Sequence, residues 1–280
     1  MDVLVQIVAW LNLLANALGR LLLAPIGWLP GWLSAATIAA ASGVLLLIIF
    51  KYTSNQRAIK RAKDEIKAHL LAVKLFKESV SVTLRAQGRI LLGAFRLMLL
   101  AIVPMLVMTV PVCLLLGQLA LWYQSRPLRV GEEAVVTMTL NGDIDSTWPK
   151  VCLQPTPAAE VTVGPVRVRS KRAICWSVKA REAGYHRVFF RVGPETSEKE
   201  LAIGDRFMRL SPKRPGWSWS DMIRHPSEPP FRPNAPVKSI EISYPDRESW
   251  TCGTDSWVGC WFVISMVAAL LLRPVLNVAI

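Results

Sequence analysis

The sequence predicts a membrane protein with three transmembrane α-helices, an N-terminal interfacial helix, a cytoplasmic helical hairpin and an extracytoplasmic all-β immunoglobulin-like sandwich. Three observations predict it. Uncharged apolar runs at 32–50 and 97–122 are long enough to cross a bilayer, and 257–272 forms a shorter third one. A block at 51–96 holds eleven Lys/Arg against only Asp64, Glu65 and Glu78. The region 123–250 reads instead as short β-branched or alternating runs separated by turn residues. Composition agrees with a mixture. The 280 residues are 52% hydrophobic, with a mean hydropathy of +0.35 and a net charge of +13, too apolar for an ordinary soluble domain and too charged to lie wholly in lipid.

Residues 1–31 predict an interfacial amphipathic helix and turn. At 100 degrees per residue, Asp2, Gln6, Asn12, Asn16 and Arg20 share one face and Leu4, Ile7, Leu11, Leu14, Leu18 and Leu22 the other. An extra span or a packed core helix is the alternative. The start lacks the positive charge of a cleavable signal, and Ala24-Pro25 and Pro30-Gly31 turn the chain into the first span, 32–50.

In 51–96, Ser54 or Asn55 can cap a helix, and Gly and Pro are absent from 56–87. Ile59, Ala62, Ile66, Leu70, Val73 and Phe76 recur at helical spacing. One apolar stripe on a basic helix results, with reversal expected at 79–83 and a second arm, 84–96, running into the second span. That span, 97–122, carries Pro104 and Pro111, which are tolerated where neighbouring groups re-satisfy the freed carbonyls. The third span is placed at 256–273, with Trp257, Trp261 and Arg273 as interfacial anchors and 274–280 as a cytoplasmic tail. Lys/Arg in short loops stay on the cytoplasmic side. The hairpin and C-terminus are therefore expected in the cytoplasm, with the N-terminus and sandwich outside, in a bacterial inner membrane.

Strands are expected at 134–140, 160–163, 166–169, 173–179, 185–192 and 239–243, between turns such as Asn141-Gly142, Gly164-Pro165, Ala183-Gly184 and Gly193-Pro194. Trp176 followed by Glu182-Ala183-Gly184-Tyr185 looks like the pattern of immunoglobulin-like sandwiches. Residues 211–236, rich in Pro and Trp, read as an extended surface segment with Trp217 and Trp219 near headgroup level or on the sandwich rim. Basic faces at Arg167, Arg169, Lys171 and Arg172 would favour an acidic ligand.

Catalytic patterns are absent. His69, His186 and His225 stand in three different contexts, and no phosphate loop, metalloprotease or nucleophile-elbow motif occurs. Neither an enzyme activity, a cofactor nor a metal site is expected. Cys113 and Cys260 fall in spans; Cys152 and Cys175 are candidates for a disulfide, leaving Cys252 over.

The order of elements resembles the three-helix core of the YidC-type insertase superfamily. It runs from a flat helix and a first span to a basic hairpin, then a second span entered through Gln87-Gly88-Arg89 and holding Pro104-Met105 and Pro111, then a third span. Closest in style are its shorter members related to the third subunit of the endoplasmic-reticulum membrane complex. The resemblance covers 1–122 and 256–280. Lys51-Tyr52-Thr53-Ser54-Asn55-Gln56 and Leu84-Arg85-Ala86-Gln87-Gly88-Arg89 are also similar to segments of bacterial membrane proteins with this plan.

This resemblance implies a polar groove that assists insertion or assembly of client membrane proteins without bond chemistry. Thr37, Ser42, Arg96, Thr109, Gln118 and Ser265 are the implied groove-lining residues. Lys60, Arg61, Lys63, Lys67, Lys74, Lys77, Arg85 and Arg89 are the implied contacts for a client or ribosomal RNA. Implied partners are the lipid bilayer, client membrane proteins, and a ribosome or another membrane subunit, with an unknown ligand for the sandwich. Insertases of the bacterial type carry an arginine inside the first core span, whereas 32–50 has none. Two other classes stay open: a membrane-tethered extracytoplasmic binding module, and a structural subunit of a membrane complex.

Overall fold

The computed structural model describes residues 2–23, 29–75, 80–143, 146–248, 256–276 and 278. Four of its helices are long and apolar enough to cross a membrane. They are α1 (Asp2–Leu23), α2 (Gly31–Thr53), α4 (Val80–Tyr123) and α6 (Ser256–Leu276). By length and composition α1 therefore joins the three expected spans. The basic helix α3 (Gln56–Leu75) stands between α2 and α4. Among the described residues there are also a short helix, α5 (Trp219–Arg224), a 3-10 turn (Arg169–Lys171) and eight strands.

The chain forms two compact units: residues 1–35 with 113–259, and residues 36–112 with 260–280. In the second, the α2–α3 junction is capped as the sequence predicts, with Asn55 Oδ1 accepting from the Ala58 N–H at 3.1 Å. Ile59 and Ala62 are buried, and the Gly93 backbone of α4 packs against Ile66. Ile66 of the apolar stripe thus meets α4, while Leu70 of the same stripe stays more than half exposed. Phe76 and Ser79 lie outside the described residues, and 80–83, the rest of the expected reversal, are instead the first turn of α4. The second arm and second span are one helix, α4, whose 44 residues extend about 66 Å and carry Pro104 and Pro111 without interruption.

The first unit contains the strand-built body. Its five-stranded sheet has the order β3 (Ala159–Val168), β4 (Ala173–Ala180), β1 (Glu133–Leu140), β8 (Val237–Ile242), β7 (Lys213–Arg214). A three-stranded sheet has the order β2 (Val151–Leu153), β5 (Gly184–Val192), β6 (Glu195–Ile203). All pairings are antiparallel. Alternation sends Val136, Met138, Trp176 and Val178 of one sheet and Val188, Phe190, Leu201 and Ile203 of the other into a single core. There the Trp176 and Phe190 rings lie 5.4 Å apart.

Three expectations change. The two strands at 160–163 and 166–169 are one strand, β3, because the chain bulges at Gly164-Pro165 instead of turning. Gly164 has φ +127, and a Cβ there would lie 2.8 Å from the Trp176 ring, so only glycine fits. The disulfide is not formed. Cys152 on β2 and Cys175 on β4 are free thiols in different sheets, and Cys175 contacts Thr137 Oγ1 at 3.7 Å. Cys252 lies outside the described residues. Finally, Arg172 is no ligand-ready cation. It is 6% exposed and donates to the carbonyls of Asn141, Asp143, Ser146 and Thr147, so its charge holds the loop after β1.

Candidate functional site

Of the residues implied as groove-lining, two come together. Ser42 and Ser265 are both buried in the second unit, at a close approach of α2 and α6. Ser42 Oγ donates to the Ala39 carbonyl at 2.9 Å and accepts from the Trp261 indole N–H at 2.9 Å. Trp261 therefore bonds another helix rather than serving only as a surface anchor. Ser265 Oγ returns to the Phe262 carbonyl. Gly43 permits this approach, because any side chain there would overlap the Ser265 backbone. Thr37 and Thr109 are exposed on the helix surfaces, Thr109 bonding back to the Met105 carbonyl at 2.8 Å. Arg96 is exposed and lies 3.7 Å from Glu65 across the hairpin.

The cationic set is surface-borne. Lys60, Arg61, Lys67, Lys74, Arg85 and Arg89 are exposed, and Lys63 is half-buried. Burial lowers the Lys63 ammonium below its usual range, with Arg273 of α6 adding repulsion. The C-terminal end of α6 and the base of the hairpin therefore share a neighbourhood within that unit. Leu70, Leu71, Leu75 and Leu84 are more than half exposed near the described ends of the two arms. Lys77 lies outside the described residues.

Gln118 belongs to the first unit and to a polar junction that the sequence did not reveal. The polar stripe of α1 turns toward the strand-built body. Asn12 Nδ2 donates to the Met222 carbonyl at 2.7 Å, and Asn16 Nδ2 donates to the Pro226 carbonyl. Asn16 Oδ1 accepts from Gln118 Nε2 and from the Arg209 guanidinium, both at 2.8 Å. The amide of Gln118 lies against Gly19, where a Cβ would come within 2.7 Å of it. Meanwhile Ile7, Trp10, Leu14, Leu18, Leu21 and Leu22 stay exposed. A helix of a water-soluble domain buries the opposite face.

In the same unit lies a closed ionic cluster. Lys199 on β6, 0% exposed, donates to Glu228, to the Ser211 carbonyl and to Ser211 Oγ, the last at 2.8 Å. Ser211 Oγ also donates to Glu228 and meets Ser227 Oγ at 2.8 Å. Burial pushes the Lys199 ammonium down and the Glu228 carboxylate opposes that shift. A lysine beside a serine hydroxyl is the raw material of a nucleophilic pair. Here the carboxylate engages both partners, so the arrangement serves to satisfy a buried charge.

Set against known protein families, curated proteins and solved structures, the chain matches none. Among the described residues no cluster of His, Cys, Asp and Glu could hold a metal ion.

Outside the closed cluster, charge concentrates where α1 and α4 end. Arg20, Arg187 and Arg209 line a cleft of about 570 Å³ together with Trp122, Tyr185 and Glu200. Tyr185 Oη accepts from the Arg209 backbone N–H at 3.0 Å, which fixes that segment against β5. Burial lowers the Arg209 guanidinium, and the neighbouring Arg20 charge acts in the same direction. Sequence reasoning missed the cleft because its residues are scattered between positions 20 and 209 and no local motif joins them.

Proposed function

We propose that this chain is an integral membrane protein that assists the insertion or assembly of other membrane proteins, in the manner of YidC-type insertases. The observation that carries the proposal is the hairpin. Among the described residues, eight exposed cations and six exposed leucines stand on two short arms, and the second arm is continuous with a membrane-length helix. An incoming segment with an apolar core and acidic or polar flanks finds both halves of its chemistry on such a surface.

The spans supply the second half of the reading. Leu91, Leu92, Phe95, Met98, Leu99, Met105 and Leu106 are exposed along α4, offering lipid and a client helix the same adaptable apolar flank. The buried hydroxyls of Ser42 and Ser265 lie where α2 and α6 pack together, so they tie these two spans to one another. In this reading the hairpin and the α6 C-terminus are cytoplasmic and the strand-built body, an immunoglobulin-like sandwich, is outside. Helix α1 lies flat at the outer surface, because its polar face is engaged by the proline-rich segment of an aqueous domain.

The test is photocrosslinking from a probe at Leu71 or Leu84 during synthesis of membrane proteins in cells. Nascent chains should crosslink there, and depletion of the protein should lower the abundance of the captured species. A hairpin that crosslinks only lipid, with an unchanged membrane proteome on depletion, would sink the proposal.

A further inference from the structure

The cleft at the ends of α1 and α4 carries an inference independent of client handling. Three arginines line it against a single carboxylate, Glu200, which lies 3.9 Å from Arg20. Arg187 is partly compensated by Glu198 at 3.2 Å. Arg209 spends one guanidinium nitrogen on Asn16, and its Nε–H is buried without a partner. Trp122, only 7% exposed, lines the same cleft, and its indole N–H is also buried and unpartnered. Two buried donors left unpaired beside clustered cations are costly unless an acceptor arrives.

The surroundings say what kind of acceptor fits. Trp122 closes the apolar run of α4, and Arg20 is followed on α1 by Leu21 and Leu22, which are 75% and 68% exposed. Aromatic and cationic residues at the ends of apolar helices sit at headgroup depth. We propose that the cleft binds a phosphate-bearing anion, with the phosphate of an acidic lipid headgroup between Arg20 and Arg209, the indole N–H of Trp122 donating to it and the acyl chains lying along Leu21 and Leu22. Guanidinium forks and an indole N–H supply donors only, matching an anion with several acceptor oxygens and no proton to give.

The experiment uses the full chain, delipidated in detergent and returned to nanodiscs of phosphatidylcholine with or without phosphatidylglycerol. Native mass spectrometry reads retained lipid, and the thermal midpoint reads stabilisation. Phosphatidylglycerol should be retained selectively and raise the midpoint. Arg20→Gln, whose side chain is largely exposed, and Trp122→Phe, which keeps most of the ring, should each weaken retention by roughly tenfold. Retention that is equal for the two lipids, or unchanged in both variants, overturns the proposal. Inorganic phosphate and glycerol phosphate form the second arm. If they reproduce the full stabilisation and phosphatidylglycerol adds nothing, the phosphate chemistry stands and the lipid source is overturned. Arg209→Gln serves only as a third variant, since it also breaks the bond to Asn16.

Discussion

At the residue scale, two ion pairs separate stability from function. Lys199 and Glu228 are buried together, and each is costly without the other. Lys199→Met should destabilise the full chain by about 3–5 kcal/mol, whereas the pair Lys199→Met with Glu228→Gln should recover much of the loss; denaturant midpoints in detergent measure both. The second pair predicts an acid response. The Arg126 guanidinium, hydrogen-bonded to Glu132 at 2.8 and 2.9 Å, outweighs burial and holds that carboxyl at about 2, below its ordinary 4.5. A depressed carboxyl contributes stability that is complete above the unfolded value and lost as pH falls through the folded one. The contribution is about 2 kcal/mol after allowing for partial exposure. Melting points of wild type should fall as pH drops from about 5 to 2, and those of Glu132→Gln should fall less over the same interval.

At the element scale, close approaches make sharper predictions than the apolar surfaces do. Gly43→Val should force α2 from α6, because its side chain would occupy the space of the Ser265 backbone; a loss of about 1–3 kcal/mol follows if the helices stay associated. A cysteine pair placed across that contact should crosslink in wild type and fail in the variant. The same scale shows what the sequence could disclose. Strand β1 was legible because Ala134, Val136, Met138 and Leu140 alternate inward without exception. Strand β6 was not, because Glu195, Glu198, Lys199 and Glu200 make it look solvated, and its inward lysine is explained only by a carboxylate 29 positions later. Helix α5 hid within a proline-rich stretch, and β2 and β7 are too short to show a period. The site followed the same rule. Ser42 and Ser265 were readable as polar residues in apolar runs, but the cleft of Arg20, Trp122 and Arg209 exists only after long-range folding.

At the scale of the whole molecule, the proposed topology requires an odd number of crossings between the hairpin and the strand-built body. Cysteines introduced at Lys67 and Gly193 should react with membrane-impermeant thiol reagents from opposite sides; labelling of both from one side would refute the orientation. Docking of α1 adds a prediction of its own: Asn12→Leu with Asn16→Leu should speed amide exchange around Met222 and Pro226, whose carbonyls accept from those side chains. Those contacts also set a clock. Partners 210 positions apart cannot meet until most of the chain has left the ribosome, an interval of about 10–40 s at ordinary elongation speeds. Helix α1 is therefore made long before the carbonyls of Met222 and Pro226 can accept from it, and during that wait the Asn12 and Asn16 amides must find other acceptors, water and phospholipid among them.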